Sequence, residues 1–209
     1  IKFTKKNKNI LLVVNDLGYG MVEPYVKKFP KNIYNAGVSE QSMMGYAAGL
    51  AASGKHVFVY SIGNFNTFRC AEQIRNDIDY HKLSVTIVSA GAGVGYGNLG
   101  YSHHAIQDYA LIRSFPNMII ASPGDEMELR SCMEYLVKSP QPSYLRLEKS
   151  SQFKAHNKKP KLYPGKWLKV FEYKNTDKKR DIYLATGSVI EFIQNSIKKK
   201  IFKKKSLYT

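Results

Sequence analysis

The sequence predicts an α/β fold in which helices cover both faces of a parallel, doubly wound sheet. Short and almost continuously apolar runs, such as ILLVV at 10–14 and SVTIVS at 84–89, recur along the chain. Runs of this kind are typical of strands that are buried on both faces. Segments with helical periodicity separate them, and this alternation is how the strands of a parallel sheet are connected.

The predicted elements follow one another in a regular order. Strands are predicted at Ile10–Val14, Asn32–Tyr34, His56–Tyr60, Ser84–Ser89, Met118–Ala121 and Ser143–Arg146. Helices are predicted at Val22–Lys28, from Glu40 to about Ser53, at Phe65–Tyr80, at 105–113 and at 126–137. Ser39 is expected to cap the helix that begins at Glu40, and Gly54 to end it.

The 209 residues leave room for one domain of ordinary size and part of another. Residues 1–150 contain the predicted sheet. Residues 151–180 are polar, lysine-rich and interrupted by prolines, which predicts a basic linker. Residues 181–209 hold one further strand–turn–helix unit, which cannot bury its own apolar face. We therefore expect this segment to be the beginning of a second α/β domain that is truncated.

Composition argues against several classes of protein. No apolar run approaches the roughly 18 residues of a membrane span, and the first residues lack the apolar region of a secretory signal. Cys70 and Cys132 form no CxxC pair, which is typical of a reduced, cytoplasmic protein. The net charge is +16, but the lysines are scattered through nearly every loop, so we expect neither a nucleic-acid nor a membrane partner.

Glu40 lies in the first turn of its predicted helix, where the partial positive charge of the N-terminus keeps a carboxylate ionised. On local grounds alone, Glu40 is also a favourable first-turn acid without any chemical role. Phe65 and Phe68 lie three residues apart at the start of a later helix. Aromatic residues at this spacing belong either to the core or to the walls of a site for a flat ring.

His103 and His104 follow a glycine-rich loop at the C-terminal side of a parallel strand, where α/β sheets bind ligands. An imidazole there is suited to acid–base chemistry near neutral pH. A metal site is not expected, because no acid or cysteine stands at ligand spacing. Residues 95–100 match GxGxxG, so a Rossmann-type dinucleotide-binding protein is an alternative. Against it, 101–104 intervene before the next helix.

The order of these motifs resembles the pyrimidine-binding (central) domain of the transketolase family of thiamine diphosphate enzymes. The resemblance covers Ile10 to about Lys149. It includes Asp16-Leu after the first strand, GVSEQ with Glu40, a phenylalanine-led helix that ends in EQIRND, and GNLGYSHH with His103. The fragment IYLATGS is similar to the opening of the family's C-terminal domain. The resemblance thus implies a thiamine-diphosphate-binding fold.

The resemblance assigns cofactor contacts residue by residue. Glu40 matches the acid that hydrogen-bonds N1′ of the cofactor's aminopyrimidine, which favours its imino tautomer and so activates the cofactor for catalysis. Phe65, with Phe68 as the alternative, matches the aromatic residue that stacks on this ring. Asp16 matches an acid that lies near the thiazolium.

His103 matches a catalytic histidine that contacts the reacting oxygens of the substrate, and the adjacent His104 is a further candidate. Arg146 or Lys149 is expected to meet an anionic group of the substrate. Three family positions that contact sugar phosphates lack their polar side chain here, and they are Gly20, Gly91 and Leu99. Because unpaired polar groups weaken binding, we expect the substrate to differ from an ordinary pentose phosphate.

The half of the family that carries a GDG motif and holds Mg²⁺ and the diphosphate is not found in this sequence, which has only Pro-Gly-Asp-Glu at 123–126. The resemblance therefore implies an N-terminal, diphosphate-binding partner subunit, within a homodimer or heterotetramer. The predicted function is a transketolase-like transferase that moves a small ketol or carbonyl unit between carbonyl or sugar substrates. A non-catalytic interaction subunit with the same fold is the alternative.

Overall fold

The structure, a computed structural model, describes residues 1–148, 153–172, 181–199 and 205–208. The chain divides into two compact units. Unit 1 comprises Ile1–Ala121 with Leu136–Lys149, and unit 2 comprises Ser122–Tyr135 with Ser150–Thr209. The domain boundaries expected at 150 and 180 remain predictions.

Unit 1 is built on a six-stranded sheet in which every pair of neighbours is parallel, as the sequence predicts. Its strands are β1 (Ile10–Val14), β2 (Ile33–Asn35), β3 (His56–Ile62), β4 (Val85–Ala90), β5 (Ile119–Ala121) and β6 (Ser143–Leu147). Their order across the sheet is β2-β1-β3-β4-β6-β5. The carboxyl ends of all six strands therefore lie at the same edge.

The helices connect these strands. They are α1 (Lys2–Lys6), α2 (Glu23–Lys28), α3 (Glu40–Ala52), α4 (Gly63–Thr67), α5 (Ala71–Gln73), α6 (Asp108–Ile112) and α7 (Glu126–Lys138). Single 3₁₀ turns lie at Pro30–Asn32, Phe68–Cys70 and Gly97–Leu99. A π-helical stretch follows α5 at Ile74–Asp79.

Helix α3 packs on the sheet through a row of methionine and alanine side chains. Met43, Met44 and Ala47 are completely buried, and Ala51 is almost so. The short alanine side chains allow the helix backbone to approach the strands closely, and the two methionines fill the remaining irregular space. Gly54, at φ +88°, ends the helix as the sequence predicts. This packing fixes where the first turn of α3, with Glu40, lies.

The single helix predicted over Phe65–Tyr80 is wrong. The segment is broken into α4, a 3₁₀ turn, α5 and the π-helical stretch. Buried polar side chains hold its first turn, because Asn66 donates to the Val88 carbonyl and Thr67 to the Gly63 carbonyl. Past the break, Ile74 and Ile78 are fully buried. Phe68 falls on the break and is 42 % exposed.

Unit 2 contains a small three-stranded sheet, β7 (Lys169–Phe171), β8 (Asp181–Leu184) and β9 (Lys205–Tyr208), together with α8 (Val189–Lys198). Its buried cluster consists of Ala185, Ile190 and Ile193. The strand–turn–helix expected after residue 181 is present. The segment expected to be a linker contributes β7, so that its described part is not purely connecting chain. No helix among the described residues is long and apolar enough to cross a membrane.

Candidate functional site

The candidate residues of unit 1 follow four neighbouring strands at the carboxyl edge of the sheet. Asp16 follows β1, Glu40 begins the helix after β2, Phe65 lies in the helix after β3, and His103 lies in the loop after β4. The connection from β1 to β2 and the connection from β2 to β3 run in opposite directions across the sheet, so the topological switch point lies between β1 and β3. Ligands of open α/β sheets bind at such a switch point.

A hydrogen-bond network joins the ends of β1 and β2. The Asp16 backbone N–H donates to Asn35 Oδ1 at 2.9 Å, and Asn35 Nδ2 donates to Asp16 Oδ1 at 3.0 Å. Asn15 Nδ2 donates to the Gly37 carbonyl at 2.7 Å. The hydrogen bonds that Asp16 accepts from Asn35 and Tyr19 lower its pKa. The network therefore holds an ionised, exposed carboxylate at the end of β1.

Glu40 is 3 % exposed and begins α3 directly after Ser39. Ser39 occupies the N-cap position, as predicted, but its hydroxyl donates to the Ala36 carbonyl at 2.7 Å and makes no side-chain cap bond. The hydroxyl therefore bonds within the turn that precedes α3, and the first N–H groups of the helix receive no hydrogen bond from it. Glu40 thus lies at the N-terminus of α3, the end that carries the partial positive charge of the helix.

Arg69 binds this carboxylate. Its Nη1 donates to Glu40 Oε2 at 2.6 Å, and its Cζ lies 4.7 Å from the centroid of the Phe65 ring. Within the described residues, no hydrogen bond reaches Glu40 Oε1. Cys70 lies nearby, where burial, followed by the charge of Glu40, raises the thiol pKa to about 12. The group thus consists of an ion pair, an aromatic ring and an unreactive thiol.

Phe65 connects this ion pair to the loop that follows β4. The centroid of its ring lies 5.0 Å from that of His103, and His103 lies 5.8 Å from Tyr96, in both cases edge to face. Tyr96 fills the space above Gly91, since a Cβ atom at Gly91 would lie 1.9 Å from the Tyr96 ring. A continuous series of contacts therefore links Glu40 to Tyr96 through Arg69, Phe65 and His103. Among the described residues, no hydrogen bond or ring contact joins Asp16 to this group.

The loop of residues 91–105 is closed at its base by two backbone hydrogen bonds between Gly93 and Ala105. His104 holds its tip, because Nε2 lies 2.9 Å from the Gly97 carbonyl. Within the GxGxxG residues, Gly97–Leu99 form a 3₁₀ turn, and the next helix begins only at Asp108. A dinucleotide fingerprint needs its glycines to open a helix. The geometry does not support the dinucleotide-binding alternative.

Arg146, expected to bind an anionic substrate group, is buried. Its Nε donates to Asp108 Oδ2 at 2.7 Å, and its Nη2 donates to the Ala105 carbonyl at 2.9 Å. Its guanidinium also stacks over Tyr109. These contacts hold the Arg146 side chain, which is 8 % exposed, beneath the loop, and its role in substrate binding stays a prediction. Lys149, the other residue expected to meet an anion, lies outside the described residues.

Two residues in this series of contacts, Arg69 and Tyr96, were not predicted from the sequence. Arg69 lies four residues after Phe65, a spacing at which helical side chains meet, and this cation beside an aromatic ring was the available signal. Tyr96 lies within the GxGxxG match at a position that the motif leaves unspecified, so the pattern gave no signal for it. Among the described residues, no group of three or more histidine, cysteine or acidic side chains is placed to hold a metal ion.

Residues 1–153 match the family described as the transketolase pyrimidine-binding domain. A protein of Methanocaldococcus jannaschii described as a transketolase C-terminal section is 38 % identical over 148 residues, which cover 70 % of this chain and 47 % of that protein. One of the apulose-4-phosphate transketolase subunits, from Phocaeicola vulgatus, is 35 % identical over 152 residues, covering 72 % and 49 %. The chain spans about half the length of these relatives.

A solved structure gives the same result. A protein titled "Split gene transketolase, inactive beta4 tetramer" superposes with a TM-score of 0.84 at 28 % identity, covering 99 % of this chain and 67 % of the other. The family match includes Asp16, Arg146 and all six parallel strands of unit 1. The chain therefore belongs to the family of transketolase pyrimidine-binding domains.

Proposed function

We propose that the chain is the pyrimidine-binding subunit of a split, transketolase-like thiamine diphosphate enzyme that transfers a small ketol or carbonyl unit. One observation carries the proposal: a buried carboxylate, Glu40, lies at the start of a helix and is linked through Arg69 to the half-buried ring of Phe65. A buried carboxylate is costly unless it is paired, and Glu40, paired with Arg69, lies at the carboxyl edge of the sheet, where α/β folds bind ligands.

The residues present fit the pyrimidine half of the cofactor. Glu40 would hydrogen-bond the ring nitrogen N1′ and hold a proton there, and Phe65 offers an aromatic surface for the flat ring. When bound, thiamine diphosphate supplies the nucleophilic carbon that takes up the carbonyl unit. The exposed Asp16 lies at the end of the neighbouring strand, which suits a carboxylate that faces the cationic thiazolium.

His103 is the candidate for contact with the substrate. Its Nδ1 lies 3.0 Å from the Ser102 hydroxyl, and its ring lies between those of Phe65 and Tyr96. Here it would orient and protonate the reacting oxygens. Gly91 is covered by Tyr96, so an aromatic ring stands at a position where the family has a phosphate contact. This supports a substrate other than an ordinary pentose phosphate.

A partner chain would hold the diphosphate and Mg²⁺. The sequence lacks the GDG motif, and two of the relatives are named as a section and as a subunit of a transketolase. Large apolar side chains are also exposed along the carboxyl edge of the sheet, and they are Tyr19, Val38, Val94, Leu99 and Tyr101. A surface of this kind is typical of an interface, and the diphosphate-binding subunit would cover it. We expect a cytoplasmic homodimer or heterotetramer.

The test is a titration of the assembled complex with thiamine diphosphate and Mg²⁺, followed by the melting temperature. A ligand that binds the folded state raises the melting temperature in a saturable way. We expect this response in the wild type, its loss in Glu40→Gln, and its retention in Glu72→Gln, a matched change at an exposed glutamate. A confirmed complex that does not respond would leave the non-catalytic interaction subunit as the function.

A further inference from the structure

We propose that Arg69 acts as a placeholder that occupies the pyrimidine site in the free chain and leaves when the cofactor binds. This inference rests on the proposed function. It concerns a residue that has no role in that proposal, and its basis is the geometry of three side chains, Glu40, Phe65 and Arg69.

Arg69 makes both contacts that the proposed function gives to the aminopyrimidine. Its guanidinium, which is planar and cationic, donates to Glu40 Oε2 at 2.6 Å. The same group lies over the Phe65 ring, with Cζ 4.7 Å from the centroid. His103 also packs on Phe65, at 5.0 Å, so the ring has little further surface for a second flat group. Arginine and aminopyrimidine therefore compete.

Burial explains why such a placeholder is favourable. The Glu40 side chain is 3 % exposed, and an ionised carboxylate at that depth is strongly destabilising without a partner. Arg69 neutralises this charge while its own side chain stays 48 % exposed. A long, half-exposed side chain can turn out into solvent without any rearrangement of the core. The pair thus provides the buried Glu40 with a partner and leaves the site open to exchange.

Competition has a measurable consequence for affinity. If the site is closed by Arg69 for most of the time, then the apparent dissociation constant of the cofactor exceeds the intrinsic one by the inverse of the open fraction. Removal of the guanidinium leaves Glu40 without a counter-ion in the free chain, which favours entry of a cationic ligand. A variant without the guanidinium should therefore bind the cofactor more tightly than the wild type.

The experiment uses the complex with the diphosphate-binding subunit and titrates thiamine diphosphate at saturating Mg²⁺. We compare Arg69→Met, which keeps an apolar chain over Phe65, with Arg75→Met, which removes an exposed arginine of the same segment. Affinity is read from melting temperature and from calorimetry, so that no turnover is needed. We expect at least a tenfold lower dissociation constant for Arg69→Met and no change for Arg75→Met.

An unchanged or weaker affinity in Arg69→Met would overturn the placeholder and would make Arg69 a spectator or a cofactor-holding residue. If Arg69→Met fails to assemble, then Arg69→Gln replaces it, with the same expectation. The proposed function fails separately, when neither the wild type nor the Arg69 variant responds to the cofactor. A response in the Arg69 variant alone would support both proposals.

Discussion

Arg146 and Asp108 form an ion pair inside unit 1, with Nε 2.7 Å from Oδ2 and both side chains less than a tenth exposed. Tyr144 donates its hydroxyl to the same Asp108 oxygen at 2.7 Å. Burial lowers the pKa of Arg146, but the hydrogen bond to Asp108 and the interactions with Tyr109, Asp108 and Tyr144 together outweigh burial, so the pKa lies above its ordinary value. Arg146 also donates to the Ala105 carbonyl, which ties this pair to the base of the loop that carries His103.

Asp108→Asn is expected to destabilise the protein strongly, because it removes the close counter-ion of the buried Arg146 and leaves the longer contact with Glu148 Oε1, at 3.7 Å. Breaking one side of a buried pair costs about 3–5 kcal/mol. Glu126→Gln is the control, since it breaks the exposed pair with Arg130 and is expected to cost no more than about 0.5 kcal/mol. Urea denaturation measures both. Equal losses would show that the Asp108 pair adds nothing beyond a surface contact.

Gly91→Ala is expected to destabilise the loop because a methyl group would overlap the Tyr96 ring and because φ is +79°. Gly97→Ala shares the positive φ but has open space around it, so that it isolates the backbone strain of about 1–2 kcal/mol. Overlap should add about 1–3 kcal/mol for Gly91→Ala. The added loss should vanish in a Tyr96→Ala background; if it persists, Tyr96 is not its cause.

Phe65→Leu is expected to weaken cofactor binding, whereas Phe68→Leu is not. Phe65 packs between Arg69 and His103, but Phe68 lies on a helix break and is 42 % exposed. Loss of an aromatic contact worth about 0.5–1.5 kcal/mol corresponds to roughly twofold to tenfold in affinity. Calorimetry on the complex distinguishes the two. The reverse ranking would move the stacking role to Phe68.

His56 makes stability depend on pH. Its Nε2 lies 2.9 Å from the Thr86 hydroxyl, and burial lowers its pKa from 6.5 to about 4. Between these values the unfolded chain binds the proton that the folded chain rejects, so stability falls as the pH drops from 6.5 towards 4. The loss amounts to at most about 3 kcal/mol.

The measurement is the free energy of unfolding across this pH range. His56→Gln should remove most of the slope, and His81→Gln, a change at an exposed histidine, should leave it intact. A slope that survives in His56→Gln would assign the pH dependence to other groups.

Local pattern sufficed for much of the fold. The apolar runs of β1, β3 and β4 are long and continuous, so their burial and parallel pairing could be predicted without any contact information. The position of Glu40 in the first turn of its helix and the end of that helix at Gly54 could likewise be predicted, because first-turn acids and C-terminal glycines follow local backbone preferences. The order of the motifs then indicated the family.

Local pattern did not suffice where long-range contacts compete with it. Apolar spacing predicted one helix from Phe65, yet a hydrogen bond from Asn66 to the Val88 carbonyl of β4 holds the first turn, and the helix breaks at Phe68. The burial of Arg146 was equally hidden, since its partner Asp108 lies 38 positions away in sequence.

The sequence by itself determined that the strands form a parallel sheet and that Asp16, Glu40, Phe65 and His103 each follow one of its strands. Those features depend on residue type and on spacing along one segment. Only the tertiary structure decided that Arg69 binds Glu40, because their side chains meet through packing between segments 29 residues apart. Which distant charged residues form a pair depends on the tertiary packing, and the spacing of residues within one segment does not predict it.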